Sequence, residues 1–182
     1  MSESAPEIAE HAAGELRLPA GVTVYQGSPD GARRTVGIVV SSFNGRITTR
    51  LLDAALGELE ERGVARSNIE ILRVPGAFEL PLGAMALART RRFSCIVALG
   101  CVIRGETSHF DYISSETASG LQLAGLETGI PVSFGVLTCD TREQAEARAG
   151  GEHGNKGTEA ARTALEMADV FVRLRATAGR PG

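Results

Sequence analysis

From residue 35 onward the chain alternates short apolar runs with longer stretches in which apolar residues recur every three or four positions. Residues 35–41 (TVGIVVS) are apolar and β-branched, as in a strand buried on both faces. Ile47, Leu51, Leu52, Ala55, Leu56 and Leu59 then fall at helical spacing over residues 47–62, and Gly63 follows as a stop. The pattern repeats with a strand at Ile69–Val74, an Ala-rich helix at Leu80–Arg89 and the most apolar strand at Cys95–Ile103. A helix at about residues 110–128 is closed by Gly129, with Pro131 beyond. Residues 132–137 form the fourth strand and 142–149 a short helix. The Gly-rich turn 150–157 then leads into a last helix ending near Leu174. Earlier in the chain, residues 22–25 (VTVY) read as a further short strand before the breaker run GSPDG at 27–31. Residues 1–19 are polar without a sustained period and read as a flexible tail, and residues 175–182 as a second.

Strands alternating with helices through short connections mean a parallel sheet built from right-handed crossovers. Four core strands of this kind predict a flavodoxin-like three-layer α/β/α sandwich with strand order 2-1-3-4, in one domain spanning residues 20–174. A length of 182 residues suits one such domain with tails.

Composition narrows the function. Aromatics are only 4% with no Trp, so the core must rest on Ala, Val, Leu and Ile. A net charge of −3, without any basic run, argues against a nucleic-acid binder. Cys95, Cys101 and Cys139 lie in apolar runs without the paired spacing of a zinc site, so they read as reduced, buried thiols and no metal is expected. The first residues, MSESAPEIAEHAAGE, lack the basic and apolar regions of a signal peptide. No stretch approaches the roughly 20 apolar residues of a membrane span, so no membrane is expected and the cytoplasm is the expected compartment.

Ligands of open parallel sheets bind at the carboxyl ends of the strands. That rule selects residues 42–45 (SFNG), 75–79 (PGAFE), 104–109 (RGETSH), and Phe134 with 138–140 on the fourth strand. Phe43 and Phe78 are two of six Phe and sit in polar loops. Each could plug the sheet, but two on adjacent loops point to a flat heterocyclic ligand. His109 follows a polar loop at a helix start, where backbone N–H groups gather to meet an anion and an imidazole titrates near neutral pH. Glu79, and the Gly-rich segment between Arg148 and Lys156, say little by themselves. Cys101 lies inside an apolar strand without a paired base and has little support as a nucleophile.

Together the segments VVSSFN (39–44), VPGAFELP (74–81), ALGCVIRGETSHFDY (98–112), FGVLT (134–138), RAG (148–150) and GNKG (154–157) resemble the lumazine synthase family, in order and spacing from about Val36 to Leu174. The resemblance implies condensation of 5-amino-6-(D-ribitylamino)uracil with 3,4-dihydroxy-2-butanone 4-phosphate. The products are 6,7-dimethyl-8-ribityllumazine, phosphate and water, in riboflavin biosynthesis, and no cofactor is used. It implies that Phe43 stacks on the pyrimidine, that Asn44 next to it also binds substrate, and that Ala77, Phe78 and Glu79 hold the ribityl chain. Val102 and Ile103 would offer backbone groups to the pyrimidine edge. Glu106 and Thr107 would meet phosphate opposite Arg148, and His109 would shuttle protons. Phe134, Arg148 and Lys156 would arrive from a neighbouring subunit of a pentameric ring. The short turn between Arg148 and Lys156 favours a 60-subunit icosahedral shell, and riboflavin synthase is the implied partner. A flavodoxin-type binding module is the competing reading, but Phe43 stands where a phosphate would need open backbone. A shell protein without activity is the third, and the presence of Phe43, His109, Arg148 and Lys156 together argues against it.

Overall fold

The computed structural model describes Leu16 and residues 18–178. Four strands, β1 (Val36–Ser41), β2 (Ile69–Val74), β3 (Cys95–Ile103) and β4 (Val132–Cys139), form one parallel sheet in the order β2-β1-β3-β4. The connecting helices are α1 (Gly45–Glu61), α2 (Leu80–Arg89), α3 (His109–Thr128) and α4 (Arg142–Arg148), followed by α5 (Lys156–Ala178). The most apolar run became the central strand: β3 is buried from Cys95 to Cys101, as is all of β1 beside it. An inner strand covered on both faces has no polar side to show, which is why neither alternates.

Two cores flank the sheet. On one face Ile38, Val40, Val97 and Leu99 pack under Leu51, Ala55 and Leu59 of α1 and Ala161, Ala164 and Leu165 of α5. On the other, Val39, Ile96, Ala98 and Val136 meet Leu80 and Ala84 of α2 and Leu121 and Ala124 of α3. These are the three expected layers, with the small residues of α2, α3 and α5 letting helices approach closely.

The chain departs from the sequence reading in places. Residues 22–25 form no strand. Val22 and Val24 are exposed, Tyr25 donates from its hydroxyl to Thr177 Oγ1 (3.0 Å), and Ser28 N–H donates to Asp169 Oδ2 (3.0 Å). A Cβ at Gly27 would overlap the Glu166 carbonyl. The segment therefore follows α5, giving its polar groups to helix side chains instead of a sheet edge. α5 itself continues to Ala178, four residues past the expected end at Leu174, and α3 begins at His109. The Gly-rich turn contains a small hairpin, β5 (Ala149–Gly151) with β6 (Gly154–Asn155). It docks on α1, where Asn155 Nδ2 donates to Arg50 O (3.2 Å) and a Cβ at Gly157 would overlap the Leu51 carbonyl. Of the expected tails, only Leu16, Leu18, Pro19 and residues 175–178 fall within the described residues. Among those residues no helix is long and apolar enough to cross a membrane.

Candidate active site

The loops leaving β1, β2 and β3 meet over the carboxyl end of the sheet because each is tied to its neighbours. Pairing between β1 and β2 runs on past both strands: Ser42 N–H donates to Val74 O (2.8 Å) and Phe43 N–H to Pro75 O (3.0 Å). That continuation sets Phe43 beside the loop that carries Phe78. Asn44 then turns the chain into α1 through a left-handed conformation (φ 57°), which Asn tolerates better than most residues. Its Nδ2 donates to Cys101 O (2.9 Å), fastening the β1 loop to β3.

The turn at Ala77–Glu79 is held from two sides. Glu79 Oε2 accepts from Gly76 N–H (2.9 Å), and Ala77 O accepts from the buried Thr117 hydroxyl of α3 (3.1 Å). Beyond β3, Arg104 N–H donates to Cys139 O (2.9 Å), and the exposed stretch 104–109 follows. His109 opens α3, its backbone N–H directed to Thr107 Oγ1 at 3.4 Å.

These loops enclose a cleft of about 550 Å³, a size that suits a small ligand. Cys101, Val102 and Ile103 line it from β3, Gly76, Ala77, Phe78 and Glu79 from the second loop, and Phe43 from the first. Gly105, Thr107, His109, Phe110 and Ile113 complete it. Phe43 is 70% exposed and Phe78 56%, so both rings are available for stacking. Glu79, Thr107 and His109 supply the polar side chains. The one thiol in the lining is not a nucleophile: burial pushes Cys101 up to about 12, so it stays protonated at neutral pH. Cys95 is likewise pushed up to about 12 by burial. Among the described residues no group of three or more His, Cys, Asp or Glu is placed to hold a metal ion.

The model of the 6,7-dimethyl-8-ribityllumazine synthase family matches residues 33–171. A 6,7-dimethyl-8-ribityllumazine synthase of Syntrophus aciditrophicus is 51% identical over 152 residues, covering 84% of this chain and 99% of the relative. One of Gemmatimonas aurantiaca is 48% identical over 149 residues, covering 82% of this chain and 91% of the relative. The chain belongs to this family.

In this member of the lumazine synthase family, Phe43, Ala77, Phe78, Glu79, Val102, Ile103, Thr107 and His109 come together in one cleft, although they are drawn from the ends of three separate strands and the segments that follow them. Asn44 does not line it, because its amide is committed to Cys101 O. Glu106 is exposed in the stretch before α3 and is not part of the lining. Phe134 lies on the edge strand β4, 47% exposed and also outside the lining. Arg148, the last residue of α4, donates to Gln144 O (3.1 Å), and Lys156, the first of α5, pairs with Glu159 (2.6 Å). Neither reaches the cleft of its own chain. Gly76 and Gly105 line the cleft from the selected segments 75–79 and 104–109, whereas the lining residues Cys101, Phe110 and Ile113 lie outside every selected segment. A signal was present for two of them, since Phe110 and Ile113 are three apart and so share a face at the first turn of a helix.

Proposed function

We propose that this cleft condenses 5-amino-6-(D-ribitylamino)uracil with 3,4-dihydroxy-2-butanone 4-phosphate to 6,7-dimethyl-8-ribityllumazine, with release of phosphate and water, as a transferase of riboflavin biosynthesis. The observation that carries the reading is the pair of uncovered rings, Phe43 and Phe78, over a 550 Å³ cleft whose polar side chains are Glu79, Thr107 and His109, in a chain of this family. Phe43 stacks on the pyrimidine, and the Val102–Ile103 backbone meets its edge. Ala77, Phe78 and Glu79 hold the ribityl chain, the carboxylate accepting from sugar hydroxyls. Asn44 acts by fixing the loop that bears Phe43. The phosphate lies at the start of α3, against Glu106 and Thr107 and opposite an Arg148 guanidinium. His109 takes and returns protons as the amine attacks the ketone and loses a first water to form an imine, phosphate leaves, and the ring closes with loss of a second water.

Arg148, Lys156 and Phe134 all stand away from the cleft of their own chain, so they serve the cleft of a neighbouring subunit. Pentameric rings with a site at each junction, assembled into a 60-subunit shell, a cytoplasmic location and riboflavin synthase as a partner belong to the same reading, on the family's pattern. The test is absorbance of the lumazine product from the purified protein with both substrates. Product that appears only when both are present supports the reading. Binding of the pyrimidine without turnover would make the protein a binding module, and no binding would leave a structural shell.

A further inference from the structure

The mechanism leaves one cation beside the cleft without a task. Arg104 directly follows β3 and begins the stretch that carries Thr107 and His109. An arginine next to a phosphate site would ordinarily be read as a phosphate ligand. Its geometry says otherwise. Nε donates to Asp140 Oδ1 (2.7 Å), one residue past β4, and an NH group forms an ion pair with Asp111 Oδ1 (3.0 Å) in the first turn of α3. The guanidinium carbon also lies 4.2 Å from the centroid of the Phe110 ring, within cation–π range, and Phe110 lines the cleft. One planar fork thus joins the end of β4, the start of α3 and a cleft-lining aromatic. Two carboxylates already meet its single charge, so little positive potential is left for an anion.

We infer that Arg104 is a positioning residue that sets where His109 and Thr107 stand, by clamping the first turn of α3 to the ends of β3 and β4 without touching substrate. The inference rests on the proposed acid–base role of His109. Residues 104–109 are exposed throughout, and a Cβ at Gly105 would meet nothing within 4 Å, so the stretch has little packing of its own to hold it. The guanidinium closes it from outside, from Arg104 to Asp111. A shift of about 1 Å in an acid–base group can cost on the order of 10²-fold in rate, so a clamp of this kind registers in turnover. Lysine is a poor substitute, because an ammonium has no plane to lie on Phe110 and no fork to divide between two carboxylates.

The experiment compares wild type, R104M, R104K, H109A and the double variant R104M/H109A as assembled enzymes. It measures kcat, KM for each substrate, inhibition by inorganic phosphate, and the melting temperature. R104M should lower kcat about 10- to 100-fold, weaken phosphate inhibition slightly, through the displaced Thr107 and without rescue by R104K, and barely move the melting temperature, since exposed ion pairs contribute little to stability. R104K should recover only a minor part of the lost rate. In the H109A background R104M should cost less than about 2-fold, because a residue acting through His109 has nothing further to misplace. Weakened phosphate inhibition in R104M, restored by R104K, would make Arg104 a phosphate ligand and overturn the inference. So would a full additional loss in the double variant, a kcat equal to wild type, or a lowered melting temperature with normal kcat. H109A with wild-type kcat would instead remove the proposed acid–base role of His109, and the clamp's purpose with it.

Discussion

His109 sits where a proton carrier can reach a ligand without belonging to the core. It is exposed, it lines the cleft, and its backbone N–H at the start of α3 meets only the Thr107 hydroxyl. Replacing it with Ala should lower kcat by about 10²-fold, in the range for loss of a general acid–base, while melting temperature and particle size stay as in wild type. Steady-state kinetics matching wild type would remove it from the mechanism. At this scale the sequence was informative about type and neighbourhood: two Phe in polar strand-end loops and a His after a polar run are visible in a string of letters. It was silent about commitment. That Asn44 spends its amide on Cys101, and that Arg104 spends its guanidinium on Asp111 and Asp140, depends on which distant segment lies within 3 Å.

Among the elements, α1 and α5 are joined by a buried charge. Glu58 of α1 is 4% exposed and accepts from Arg62 and from Arg162 of α5, each at 2.9 Å. The bond from Arg162, chiefly, holds its carboxyl below the usual range although burial acts the other way. Because the folded-state pKa lies below the unfolded one, the contribution is full above the ordinary carboxylate range and is lost as pH falls through the lowered value. Solvent screens the partly exposed arginines, so E58Q should be less stable by about 1–2 kcal/mol near neutral pH. The two stability curves should converge in acid. Denaturant unfolding across pH checks this, and a gap that persists unchanged into acid would mean that shape, and not charge, is what the site needs. Helical spacing placed α1 and α5 and turned their apolar sides inward, but nothing in that spacing pairs Glu58 with a residue 104 positions later.

For the whole molecule the decisive question is where Arg148 acts. On the proposed shared site, H109A and R148A subunits are each defective at every junction, since a ring takes one side of each site from each neighbour. Unfolded together in equal amounts and reassembled, they should form intact junctions in about a quarter of cases, because each side is intact half the time. Activity should rise to about a quarter of wild type. Activity remaining at the level of the single variants would put both residues in one chain's cleft and overturn the shared site. The sequence by itself determined the alternation of strands and helices, the strand order, and the loops that line the cleft. Period and apolarity are local properties, and a parallel crossover has one favoured hand. Only the tertiary structure decided that residues 22–25 follow α5 and that β1–β2 pairing carries Phe43 to the Ala77–Glu79 turn. Those outcomes rest on contacts between segments far apart in the chain, which periodicity does not encode.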